Sequence, residues 1–203
     1  MNEFLDYYDE EGNFLGTLSR DEVHKQGLWH NTVHCWLYTK EGNLMFQIRK
    51  DTNTFYTTAS GHVSAGETIK EAFKREIKEE IGLTLDTENA TLVDIVTWKM
   101  DKVKKDGSVM KDRAKANVYI NLYEGDYKDF DFDTEEVLGI ASINARDTLK
   151  LFNDELKSIE ATIIENNNIT NRMITKQDFL LNEGETLIGK YGAIINKVIE
   201  QTK

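Results

Sequence analysis

Two hydrophobic periods alternate along this chain and divide it into strands and helices. Residues 4–8 and 14–18 are apolar runs around the polar stretch Asp9-Glu10-Glu11-Gly12-Asn13, which predicts a small hairpin. Runs at 33–39 and 44–49 flank Glu41-Gly42-Asn43, a second turn signal. A short β-prone run follows at 55–58. Two longer ones, at 91–100 and 111–123, surround Asp106-Gly107, again a hairpin signal. Between these strands the period changes. Residues 68–81 contain no Gly or Pro, and Ile69, Phe73, Ile77 and Ile81 recur every fourth residue beside Ala72, as on one buried helix stripe. Gly82 stops that helix. Leu149, Phe152, Leu156, Ile159 and Ile163 step by three or four and predict a helix over 147–165, broken by Asn166-Asn167-Asn168. Leu187, Ile188, Tyr191, Ile194, Ile195, Val198 and Ile199 form the apolar stripe of a C-terminal helix. That stripe reads as domain core, with a homodimer surface as the alternative.

Composition narrows the class. A chain of 203 residues with 39% hydrophobic and 30% charged residues suits one globular domain over 1–203, with C-terminal helices at about 147–201. The net charge of -11 argues against broad binding to nucleic acid or an anionic membrane. An anionic substrate would therefore have to be met by a metal or by a few Arg and Lys. The single cysteine, Cys35, sits in an apolar run and reads as a small buried hydrophobe. It permits no intrachain disulfide, which fits a reducing compartment. No run reaches the length of a membrane span, and the acidic start MNEFLDYYDEEG has no signal-like apolar region. The expected location is cytoplasmic.

Candidate chemistry centres on GHVSAGETIKEAFKREIKEEIGL, residues 61–83. Glu76 and Glu80 stand one turn apart beside the buried stripe, and Glu79 joins Glu76 at three residues' spacing. Three carboxylates on one flank repel each other, and a hard divalent cation removes the repulsion. Arg75 can clamp Glu76 and Glu79. By helix spacing alone, a solvated charged face explains EIKEE as well. The register of Gly61, Gly66, Glu67, Arg75, Glu76, Glu79, Glu80, Gly82 and Leu83 adds what spacing lacks: this segment resembles the Nudix box, with every fixed position present.

The resemblance implies a Nudix-type α/β/α sandwich with a mixed sheet, here with a C-terminal helical extension. It implies Mg2+ or Mn2+ held by Glu76, Glu79 and Glu80 with the Gly61 carbonyl, and a small-molecule diphosphate as substrate. Arg75 orients the glutamates, Glu67 braces the loop, and Glu76 or Glu79 serves as base. Glu136 is the first choice for the extra ligand or base that such enzymes draw from this later part of the chain.

Residues 16–37 are also similar to the start of isopentenyl-diphosphate isomerase, a divergent Nudix enzyme. That similarity places His24, His30 and His62 as ligands of a second metal, and Arg20 and Arg49 as diphosphate contacts. His34 falls in a strand and carries no implied role. The chain departs from the isomerase at two positions. Ser60 stands where the isomerase has a catalytic cysteine, and Ala114 falls near its metal-binding glutamate, with Asp112 for the companion acid. A hydrolase of a diphosphate linked to another moiety is therefore the first reading. Isopentenyl-diphosphate isomerase and a non-catalytic binding module are the rivals. The basic residues around the second hairpin, Lys99 to Lys115, suit either polyphosphate guidance or a solvated hairpin.

Overall fold

The computed structural model describes residues 3–104, 106–165, 168–182 and 185–203. In chain order the elements are β1 (Phe4–Tyr8), β2 (Phe14–Ser19), α1 (Arg20–Gln26), β3 (Trp29–Tyr38), β4 (Asn43–Arg49), β5 (Phe55–Tyr56), β6 (Ala59–His62) and α2 (Ile69–Ile81). They continue with β7 (Thr91–Val103), β8 (Val109–Leu122), β9 (Val137–Asn144), α3 (Ala145–Phe152), β10 (Ile159–Glu165), β11 (Asn168–Ile174) and α4 (Leu187–Gln201).

The sheet is mixed. Strand β3 runs parallel to β8 from Trp29 opposite Arg113 to Tyr38 opposite Leu122, while every other strand pair is antiparallel. Alternation along the strands separates two cores, because successive side chains leave opposite faces. Val33, Cys35 and Leu37 of β3 and Met45 of β4 meet Ala72, Phe73, Ile77 and Ile81 of α2. Trp36 and Tyr38, with Leu44, Phe46 and Ile48, meet α3 and α4 on the other face. The result is a sheet between helices, an α/β/α sandwich. Leu187, Tyr191, Ile194, Ile195 and Val198 of α4 are buried, so most of the C-terminal stripe is core, while Ile188 is 41% exposed.

The helix predicted over 147–165 is two elements. Helix α3 ends at Phe152, and Asp154 takes a positive φ of 63°. Residues 159–165 then form β10, in which Ile159, Ala161 and Ile163 alternate with less buried positions. Five apolar residues spaced three or four apart satisfied a helical stripe, but the β-branched run Thr162-Ile163-Ile164 pairs with β9 and β11 instead. Asn166 and Asn167 of the predicted break, and Lys105 of the basic hairpin, lie outside the described residues. Helix α1, in a polar, Gly-containing stretch for which no element is predicted, is short and capped by Ser19, whose side chain accepts from the Glu22 N–H.

Phe46 is fully buried and packs edge-on against Trp36, Phe179 and Tyr191, ring against ring. Truncating it removes that whole set of contacts and leaves a cavity. Phe46→Ala should lower the unfolding free energy by about 3–5 kcal/mol. Phe14→Ala, at a 61% exposed position, should change it by less than about 0.5 kcal/mol. Urea melts of the two variants test this, and equal losses would show that the sheet's α4 face is not the core that matters.

Candidate active site

Helix α2 positions the acidic side chains. Thr68 caps it, with its side chain accepting from the Glu71 N–H and Glu71 reaching back to the Thr68 N–H. Gly82 closes it in the left-handed region at φ 77°. The apolar stripe docks on the sheet, and this rotation carries Glu76 and Glu80 to the edge of the contact. Both are buried, each 7% exposed, where the sequence had placed them on an outer flank. Glu79, whose side chain is 60% exposed, stays in solvent.

Each buried carboxylate has different company. Glu76 lies directly against Gly61, where any Cβ would overlap all three atoms of its carboxylate group. Arg75 donates to Glu76 Oε1 at 2.6 Å and to Glu79 Oε2 at 3.1 Å. The same guanidinium grips Glu67 through two bonds of 2.9 Å and the His62 carbonyl at 2.8 Å. Glu67 also accepts from the Ser64 N–H at 3.0 Å, so it ties the loop to the helix. Glu80 has only neutral donors, the Ser60 N–H at 3.2 Å and Gln47 Nε2 at 3.0 Å. Burial therefore pushes Glu76 up to about 7 and Glu80 up to about 8. Hydrogen bonding to Glu67 holds Arg75 charged well above the ordinary arginine range. A buried all-oxygen acid set with one cation between its members fits a hard divalent metal.

A second donor set stands beside the first. His24 from α1, His30 from β3 and His62 from β6 bring one ring nitrogen each within 4.8 Å of the others. The Nε2 atoms of His24 and His62 are 3.3 Å apart. His30 Nδ1 lies 3.1 Å from the Leu28 carbonyl, which can only accept, so Nδ1 carries the hydrogen and Nε2 keeps its lone pair. That Nε2 is buried without a hydrogen-bond partner, 3.5 Å from an equally unpartnered Asp112 Oδ1. Burial depresses all three imidazoles, His62 to about 2, so they are neutral donors. Converging neutral imidazoles beside a carboxylate fit a borderline divalent metal.

The glutamate set and, of the histidines, His62 border one cleft of about 840 Å³. Glu76, Glu79, Glu80, Gly61, His62 and Arg75 form one side of it. Arg20, Arg49 and Glu136 line it too, while His24 and His30 do not reach its surface. The two arginines already have partners. Arg20 binds Glu3 at 3.1 Å, and Arg49 binds Asp51 through bonds of 2.9 and 2.8 Å. Glu136 is exposed at the rim, and its charge helps to raise Glu80. None of the described basic residues of the β7–β8 hairpin lines the cleft. Lys99 and Lys115 bind Glu10, and Arg113 binds Asp101.

Part of the cleft lining has no site role assigned by any sequence motif. His34, Tyr56 and Trp98 form this part. Trp98 Nε1 donates to Asp112 Oδ2 at 3.1 Å, and its ring centroid is 5.4 Å from that of His34. Burial lowers His34 to about 4. No local spacing joins positions 34, 56 and 98; the register of β3, β8 and β7 places His34 and Trp98, and the pairing of β5 with β4 places Tyr56. The one available signal was the small-residue alternation Ala114 and Ala116 on β8, which leaves this face open.

The raised carboxylates give a stability test. An unfolded glutamate titrates near 4.5 and folded Glu80 near 8, so the folded state binds more protons between those values. Its stability then falls as pH rises through that window. In chelator-treated protein near pH 8, Glu80→Gln should raise the unfolding free energy by roughly 1–3 kcal/mol, with the gain vanishing near pH 4.5. Denaturant melts across that range check it, and a pH-independent or negative effect would refute the buried-charge account.

Comparison with known proteins agrees with this geometry. Residues 28–158 match the family model described as the NUDIX domain. An uncharacterised Nudix hydrolase of Clostridium acetobutylicum is 32% identical over 201 residues, covering 94% of this chain and 92% of that protein. An isopentenyl-diphosphate Delta-isomerase of Serratia proteamaculans is 27% identical over 96 residues, 45% of this chain and 54% of that one. In fold, a crystal structure of a Deinococcus radiodurans protein superposes with a TM-score of 0.53 at 20% identity, covering 73% of this chain and 88% of that one. With the complete box on α2, a matching domain model and a relative aligned over nearly its full length, the chain belongs to the Nudix hydrolase family.

Proposed function

We propose that this protein is a divalent-metal-dependent hydrolase of a phosphoanhydride bond in a small-molecule diphosphate linked to another moiety. The observation that carries the reading is the buried pair Glu76 and Glu80, held against Gly61 and Ser60 with one arginine for compensation. A merely structural site has no reason to keep such a pair, because replacing buried charges with apolar groups is often neutral or stabilising.

Glu76, Glu79 and Glu80, with the Gly61 carbonyl, would hold Mg2+ or Mn2+. A bound ion of this kind polarises phosphoryl oxygens and makes water more acidic. Arg75 fixes the glutamates relative to the loop that carries Gly61 and His62. Glu76 is enclosed by Gly61 and Arg75, so Glu79, open to solvent, is the better placed of the two to take the proton from water. Glu136 faces the same space from the rim and is the next candidate. Arg20 and Arg49 would bind phosphate oxygens after exchanging Glu3 and Asp51 for the substrate. His24, His30 and His62, with Asp112, would take a second ion such as Zn2+ or Mn2+.

That histidine set is what favours the isomerase as a second reading. The proton-transfer groups argue against it. Ser60 is a far weaker acid than a thiol, Ala114 is fully buried and has no donor, and Cys35 is buried with its thiol pushed up by desolvation.

Hydrolysis should stop when stripped enzyme is assayed with a chelator and return with Mg2+ or Mn2+. Glu76→Gln and Glu80→Gln should each lower kcat by roughly a hundredfold or more. Product masses from a panel of dinucleotide polyphosphates, nucleotide sugars, nucleotide cofactors and isoprenoid diphosphates identify the substrate. Full turnover in chelator, or near-normal kcat in both variants, would place the chemistry elsewhere.

Isopentenyl diphosphate incubated with enzyme and both metals should yield no acid-labile dimethylallyl diphosphate above background. Conversion at a rate comparable to the best hydrolysis would make the isomerase the right reading.

A further inference from the structure

Strand β7 is a free edge of the sheet. It runs 13 residues, Thr91–Val103, and among the described residues it pairs with β8 alone. Its free side offers a row of backbone donors and acceptors. Natural edges of this kind are shortened, bulged or charged to prevent pairing. Here an irregularity of register occurs only near Val93, at one end. Between Asp94 and Lys102 it exposes apolar side chains among four charged ones, with Ile95 53%, Val96 42% and Met100 40% exposed, and Val103 at the far end is 70% exposed. The chain contains no proline that could interrupt it.

The charges on β7 indicate the partner. Lys99 binds Glu10 and Asp101 binds Arg113 within the chain. Asp94 and Lys102 make no ion pair among the described residues. In an antiparallel pair of identical strands related by a two-fold axis through the sheet, opposed positions share a face and have an even sum. A two-fold centred on Trp98 sets Asp94 opposite Lys102 twice and Val96 opposite Met100 twice. The two charges left over in the single chain thus become partners. On the other face Ile95 meets Asp101, whose carboxylate Arg113 already holds. Centring on Met100 instead would oppose Lys99 and Asp101, which are already satisfied.

We propose that β7 pairs antiparallel with β7 of a second copy of this chain, giving a two-fold dimer with one continuous sheet. Trp98 lines the catalytic cleft, so the dimer joins the aromatic walls of both clefts at the axis. Each copy's β7 then closes the outer side of the other's wall. The inference does not depend on the hydrolase reading, since it rests on the strand alone.

Sedimentation equilibrium of the full chain tests it. Wild type should show a mass twice 23.4 kDa. Asp94→Lys and Lys102→Asp each put like charges opposite one another twice, and should raise the dissociation constant roughly tenfold or more. The double variant, carrying both swaps, should restore wild-type association. Far-ultraviolet dichroism and melting temperature of each variant separate lost pairing from lost folding. In wild type, amide exchange at residues 94–102 should slow with protein concentration. A monomeric wild type at all attainable concentrations overturns the proposal. So does a dimer indifferent to both single swaps, or a double variant that is folded but monomeric.

Discussion

Two carboxylates kept out of water on the flank of α2 set the terms for their surroundings. Glu76 and Glu80 are buried because the stripe that docks the helix, Phe73, Ile77 and Ile81, lies on the adjacent face. The helix cannot bury one without drawing in the other. Everything nearby then compensates. Arg75 spans Glu76, Glu79, Glu67 and the His62 carbonyl, and so converts a repulsive cluster into a braced one. Glycine at position 61 is a packing requirement, since only a missing side chain lets the β6 backbone lie on the Glu76 carboxylate. Gln47 and the Ser60 N–H supply neutral donors to Glu80, which is too little to keep it ionised without a cation. The site is a place where stability is given up for a charge set that a metal can complete.

The parts legible in the sequence were those encoded locally. The spacing of Ile69, Phe73, Ile77 and Ile81 and the stop at Gly82 delimit α2 to within a residue. The turn signals at Gly12, Gly42 and Gly107 mark three hairpins that the structure contains. The C-terminal stripe of α4 is core, as its period implied. The failure at 147–165 has the same root: a stripe of three- and four-residue steps fits both a helix and a turn followed by a strand. The tertiary pairing of β10 with β9 and β11 decides, and the β-branched run Thr162-Ile163-Ile164 is its local trace.

What sequence reading lacked was the aromatic part of the cleft lining. His34 and Trp98, on β3 and β7, meet because β3 runs parallel to β8 in one particular register, with His34 opposite Val118 and Trp98 opposite Ala114, while Tyr56 comes from β5, paired with β4. Parallel pairing joins residues distant in the chain, so its contacts leave no periodic trace. Burial of Glu76 and Glu80 was missed for a related reason. Helix spacing places a residue beside a stripe, but the depth of docking depends on the partner sheet, here on Gly61 and Ser60.

The histidine cluster shows how scaffold and chemistry separate in this family. His24, His30 and His62 converge, with His30 Nε2 left without a partner, in the places that a similarity to the isomerase would assign them. Yet the two positions on which double-bond protonation would depend are Ser60 and Ala114. Ser60 uses its N–H to hold Glu80, and Ala114 pairs beside His30 in the sheet with no functional group. A histidine site can therefore persist while the acid beside it is absent, because the two make different demands. The imidazoles need only three elements, α1, β3 and β6, brought together by the sheet. The proton donor needs one side chain of the right acidity at one position in the cleft. This chain meets the first demand and leaves the second unmet. Its intact glutamate set supplies the other chemistry that the same cleft can host.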